Sequence, residues 1–191
     1  MVHMPSIELT EQNKNLLLEI ARESITSGLQ NNQPLKINKN DHPQQLQQNA
    51  ATFVTLNINH QLRGCIGTLS AHQPLIHDVA EHAFAAAFRD PRFPPLSDHE
   101  APLLDIHISI LTPAEPIIFS SEEDLINKIE PGIDGLILES GNHKGTFLPS
   151  VWESLPKPDD FIAHLKLKAG LPKNFWGNDI RISRYRTINI P

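Results

Sequence analysis

One cysteine in 191 residues leaves no partner for an internal disulfide, so the expected compartment is a reducing cytoplasm. Zinc held by several thiolates and iron–sulfur clusters are excluded for the same reason. Aromatic residues are sparse at 6%, with one tyrosine and two tryptophans, and no apolar run approaches the roughly 20 residues of a membrane helix. The first residues, MVHMPSIELTEQNK, lack the basic start and apolar stretch of a signal peptide. Positive charge is also scarce through most of the chain. Residues 1–143 hold 8 Lys and Arg against 18 Asp and Glu, which argues against general nucleic-acid binding. Residues 144–191 reverse the balance, 8 against 4. That basic tail suits an anionic ligand, an acidic partner or, the preferred reading, the acidic residues of its own chain.

What is present reads as alternating helices and hairpins. Thr10 before Glu11 marks a helix start, with Leu16, Leu17, Ile20, Ala21, Ser24 and Ile25 on one face and Gly28 near the end. The Asn/Gln-rich stretch 30–49 is a connecting loop. AATFVTLNI (50–58) alternates as a strand, and Asn59, His60 and Gln61 turn it back into LRGCIGTL. Pro74 opens a second helix that stops in RDPRF, because Pro91 pushes Asp90 out of helical geometry. LLDIHISIL (103–111) is a half-exposed strand. Ser120 or Ser121 caps a short helix, DGLILES and KGTFLP form a hairpin, DDFIAHLKLKAG is a helix ended by Gly170, and RISRYRTINI is a last strand. Phe147 and Trp152 in FLPSVW read as core. Hairpins mixed with helices make the fold class α+β with antiparallel sheets.

The chemistry concentrates at LRGCIG (62–67). In a regular strand Arg63, Cys65 and Gly67 share a face, which sets a guanidinium beside a thiol and favours the nucleophilic thiolate. The flanking glycines, Gly64 and Gly67, let a ligand approach the backbone, and Gly67-Thr68 offers N–H groups and a hydroxyl to an anion. Against this stands the plainer role of a small buried thiol between packing glycines. His72, His77 and His82 are five apart and do not stack on a helix, and His99, His107, His143 and His164 are scattered, so no metal site is expected. No cofactor is expected either.

FVTLNINHQLRGCIGTL, PLIHDVAEHAFAAAFRDPRFPPL, HISIL, DGLIL and GTFLPSVWESLPKPDDFIAHLKLKAGL, in this order over about residues 50–176, resemble the AMMECR domain family, whose prokaryotic members are called AmmeMemoRadiSam system protein A. The family pattern is met at Leu62–Gly67, at Asp90–Phe93, and at Phe147, Leu148, Pro149, Val151 and Trp152. It departs at Asn59-His60-Gln61, where members commonly carry a glycine. The resemblance implies one domain over 1–191, with a larger lobe holding both termini, a smaller lobe and a cleft between them. It also implies association with a Memo-like protein and a radical S-adenosylmethionine enzyme. Two functions then compete. In the first, Cys65 is the catalytic group of an enzyme acting on a small anionic substrate, bound by Arg63, Gly64, Gly67, Thr68 and Arg92, although the preferred single role of Arg92 is to lock the Asp-Pro-Arg-Phe turn through a local ion pair. In the second, the same surface is a non-catalytic binding or adaptor module for a protein partner.

Overall fold

The computed structural model describes residues 9–191. The chain divides into two compact units, one running to Leu111 and closed by Ile188–Pro191, the other Thr112–Thr187.

The first unit begins with helix α1, Glu11–Asn31, whose first free N–H groups are met when the Thr10 hydroxyl accepts from Asn13 N–H. The helix runs past Gly28 and ends at Asn32, which takes the left-handed conformation (φ 55°) and returns its N–H to the Gly28 carbonyl. Gly28 is thus a packing residue, not a stop. A Cβ there would lie 2.2 Å from the Phe88 ring and 2.8 Å from that of Phe84. Residues 30–49, expected as a loop, contain two short 3-10 turns and seat Leu46 in the core.

Strand β1 (Asn49–Ile58) and strand β2 (Gln61–Gly67) form the expected hairpin. Asn59 and His60 both have positive φ (50° and 63°), the geometry of a two-residue turn that follows the twist of the strands. A two-residue strand β3 (Gln73–Pro74) leads into helix α2, Leu75–Phe88. Strand β4 spans Asp105–Leu111. The expected last strand splits around Arg186 into β8 (Arg181–Tyr185) and β9 (Thr187–Ile190). β9 completes the first sheet in the order β2-β1-β4-β9, with β3 against β1.

Alternation decides which face is buried. Thr52, Val54 and Leu56 of β1 and Ile106, Ile108 and Ile110 of β4 point toward the helices and are essentially inaccessible, against Leu17, Ile20 and Ile25 of α1 and Leu75, Ile76, Val79 and Ala83 of α2. The other face carries Phe53, Thr55, Cys65, His107 and Ser109, all half-buried.

The second unit holds β5 (Glu115–Pro116), helix α3 (Glu122–Lys128, capped by the Ser121 hydroxyl), β6 (Gly135–Ser140), β7 (His143–Phe147), helix α4 (Pro158–Lys168) and β8, with sheet order β5-β8-β6-β7. Phe161 of α4 is the centre of its core. Trp152 stacks on it at 3.7 Å between ring centroids, and Phe147 meets it edge-on at 5.2 Å. Both strand-pair sets are antiparallel, so the α+β class stands. Among the described residues no helix is long and apolar enough to cross a membrane.

Candidate functional site

β2 is the outer strand of its sheet, so at Cys65 the backbone N–H and carbonyl that do not face β1 need other partners. The DPRF turn after α2 supplies them. Cys65 N–H donates to Asp90 Oδ2 at 2.9 Å, and Arg92 Nη2 donates to the Cys65 carbonyl at 3.3 Å. Asp90 and Arg92 are themselves locked together, by Arg92 Nε on Asp90 Oδ1 (2.9 Å), Arg92 Nη2 on Oδ2 (2.7 Å) and the Arg92 backbone N–H on Oδ1 (3.1 Å). The hydrogen bond from Arg92, helped by the N–H groups of Cys65 and Arg92, outweighs the cost of burial and holds the Asp90 carboxyl well below the carboxylate range. Asp90 is 2% exposed in its side chain while Arg92 is 54% exposed. A fixed strand edge therefore carries a guanidinium that still meets solvent.

Arg63 does something different. Leu56 pairs with Gly64 but Asn57 pairs with Leu62, so Arg63 is the extra residue of a bulge and regular alternation is interrupted there. Its guanidinium donates to Glu100 through Nε (2.7 Å) and Nη2 (3.2 Å) and to the Pro94 carbonyl (3.0 Å), and its side chain is 10% exposed. In return Arg63, with the Ser97 N–H, pulls the Glu100 carboxyl down to about 2. The sequence expectation that Arg63 shares a face with Cys65 and offers it free positive charge is corrected by this bulge. Arg63 fastens β2 to the segment after DPRF.

The two glycines are also accounted for by packing. A Cβ on Gly64 would sit 2.1 Å from the Ala86 carbonyl oxygen of α2, and one on Gly67 would lie 2.3 Å from the Thr52 carbonyl oxygen. Packing therefore accounts for both glycines without calling on a ligand. Thr68 likewise spends its N–H on the Thr52 carbonyl (3.0 Å), and its hydroxyl accepts from Ser70 N–H (3.1 Å). Of the residues named from the sequence, the structure brings together Cys65 and Arg92.

Three participants were not legible. Thr55 faces Cys65 across the hairpin, and its hydroxyl donates to Sγ at 3.2 Å. Glu100 is the partner of Arg63. On the helix-covered face, buried Asp78 accepts from Thr52 N–H (2.9 Å), Thr52 Oγ1 (2.7 Å) and Gln73 Nε2 (3.0 Å), with His82 Nδ1 3.1 Å away. Burial works to raise the Asp78 carboxyl, yet the contact with His82, followed by the hydrogen bonds from the Thr52 hydroxyl and Gln73, wins and lowers it. Thr52 and Thr55 point to opposite faces of β1, so this histidine is no partner for the thiol. Among the described residues no three His, Cys, Asp or Glu side chains gather in a metal-holding group.

A family model described as AMMECR1 matches residues 18–190. A Methanothermobacter thermautotrophicus protein is 36% identical over 184 residues, covering 93% of each chain. A Saccharolobus solfataricus protein is 39% identical, covering 95% of this chain and 82% of its own. In three dimensions the chain is similar to the crystal structure of an uncharacterised Pyrococcus horikoshii protein, with a TM-score of 0.87, 32% identity, and coverage of 95% and 92%.

Proposed function

The chain belongs to the AMMECR1 family, and from that premise we propose that it binds a small anionic molecule beside Cys65 and acts on it through that thiol. The observation that carries this reading is the pairing of a half-buried thiol with a half-exposed guanidinium on one clamped strand edge. Fixing both backbone groups of Cys65 positions the thiol without using its sulfur, which is how a reactive group is held ready. Thr55 donates to the sulfur, and a hydroxyl donor stabilises a thiolate over a thiol. Anion recognition falls to the exposed Nη1 of Arg92, the edge of its guanidinium that neither Asp90 nor the Cys65 carbonyl occupies, since Arg63 is paired and buried. The proposal includes the association that the sequence resemblance implies, a shared pathway with a Memo-like protein and a radical S-adenosylmethionine enzyme.

Phosphate protection tests the reading. Inorganic phosphate should raise the melting temperature of the wild type beyond chloride at matched ionic strength. At 100-fold over Kd the gain is about 2.7 kcal/mol. Arg92→Gln should remove the phosphate-specific part, whereas Arg63→Gln should lower the baseline and keep it. An equal response of wild type and Arg92→Gln would move the adaptor reading ahead. Comparing metabolites between cells with and without the gene would then identify the natural ligand by its accumulation.

A further inference from the structure

Thr55 has two cross-strand partners in register, Cys65 on β2 and His107 on β4, so the three side chains stand in one row on the face turned away from α2. His107 is 40% exposed, and its Nε2 lies 2.8 Å from Oδ2 of Asp105, two residues back along β4 on the same face. A carboxylate only accepts, so Nε2 carries a proton, and in the neutral imidazole the lone pair is then on Nδ1. An imidazole oriented by a carboxylate, with its other nitrogen basic, in line with a thiol is the arrangement that activates a nucleophile. We propose that His107, oriented by Asp105, is the proton acceptor for Cys65, with the Thr55 hydroxyl carrying the proton between them.

Spacing explains the relay. Neighbouring strands lie about 4.8 Å apart, which puts the Cys65 and His107 backbones roughly 10 Å from each other, with Thr55 midway. The S–H proton passes to Thr55 Oγ1 as the hydroxyl's own proton passes to His107 Nδ1. The products are a thiolate and an imidazolium, Thr55 is restored, and no co-reactant is consumed. The hydroxyl then turns its hydrogen to the sulfur, the direction of the 3.2 Å contact. The other charged groups near the row are Asp105 beside His107, the Asp90–Arg92 pair against the Cys65 backbone, and the Arg63–Glu100 pair at the bulge of β2.

The inference rests on the proposed role of Cys65, and its test needs no substrate. Cys65 is the sole cysteine, so iodoacetamide labelling followed by intact mass reads one site. Labelling rates would be measured from pH 5 to 10 in wild type, His107→Gln, Thr55→Val and Thr55→Ser, with circular dichroism melts confirming each fold. The first two substitutions should each slow labelling at pH 7 by about tenfold or more, because a thiol without a proton acceptor is only a few per cent thiolate at that pH. Their rates should rejoin the wild type near pH 10, and Thr55→Ser should keep the wild-type profile. A His107→Gln profile that superimposes on the wild type overturns the proposal, as does Thr55→Ser behaving like Thr55→Val. Phosphate protection uses neither His107 nor Thr55, so intact protection beside an unchanged labelling profile removes His107 alone and leaves the reading of Cys65 in place.

Discussion

Asp90 is the residue on which the site turns, because one carboxylate holds the Cys65 N–H, the Arg92 guanidinium and the Arg92 N–H. Its removal leaves a strand-edge N–H and a guanidinium without their acceptor. Glu100 plays the same part for Arg63. Both carboxyls ionise below their ordinary values, Glu100 at about 2 instead of 4.5. A carboxylate depressed in the folded state adds stability that is complete above its unfolded value and disappears as pH falls through its folded one. For these two groups melting temperature should hold down to about pH 5 and fall from there toward pH 2. Glu100→Gln should make that acid limb shallower and lower the plateau, since buried Arg63 loses its counter-charge. Melts of both proteins from pH 2 to 8 would read this directly. An acid limb of equal depth in the variant would show that the pair is not what the acid titrates.

Among the elements, β2 determines the site through its bulge. A two-residue turn at Asn59-His60 pairs Ile58 with Gln61 and would, without interruption, bring Thr55 opposite Gly64. The extra residue, Arg63, slides the register by one and brings Thr55 opposite Cys65 instead. Gly64 then faces α2 at a distance no side chain fits, so Gly64→Ala should cost about 3 kcal/mol in urea denaturation, at the upper end of overpacking. The turn itself stores strain that a glycine would relieve. His60 sits at φ 63°, where a residue with a Cβ pays about 1–2 kcal/mol, and glycine's extra unfolded freedom returns part of that. His60→Gly should therefore stabilise the protein by about 0.5–1 kcal/mol in the same assay.

These elements also show what was readable beforehand. The period-2 and helical patterns located α1, α2, β1, β2 and β4, the Thr10 cap, and a cap at Ser120 or Ser121 that the structure places at Ser121, because those signals are local. Cys65 and Arg92 could be named from LRGCIG and DPRF. The roles of Arg63, Gly64, Gly67 and Thr68 depend on a one-residue slip and on contacts with Glu100, Ala86 and Thr52, which no local pattern encodes. Gly28 misled for the same reason, since its packing against Phe84 and Phe88 is set by where α2 runs.

At the scale of the molecule, the site lies wholly within the unit that carries α1, α2 and the first sheet. Four of the eight basic residues of 144–191 form ion pairs within the second unit. Lys144 pairs with Glu139, Lys166 with Glu122, Arg184 with Asp134 and Arg186 with Glu130. Their charge is thus answered by acids of the same chain, which leaves Arg92 as the guanidinium placed at the thiol. If the protein works through Cys65, the Cys65→Ala variant cannot replace it in a strain lacking the gene. With expression and melting temperature matched to the wild type, complementation should be absent. Full rescue by that folded variant would contradict a working role for Cys65.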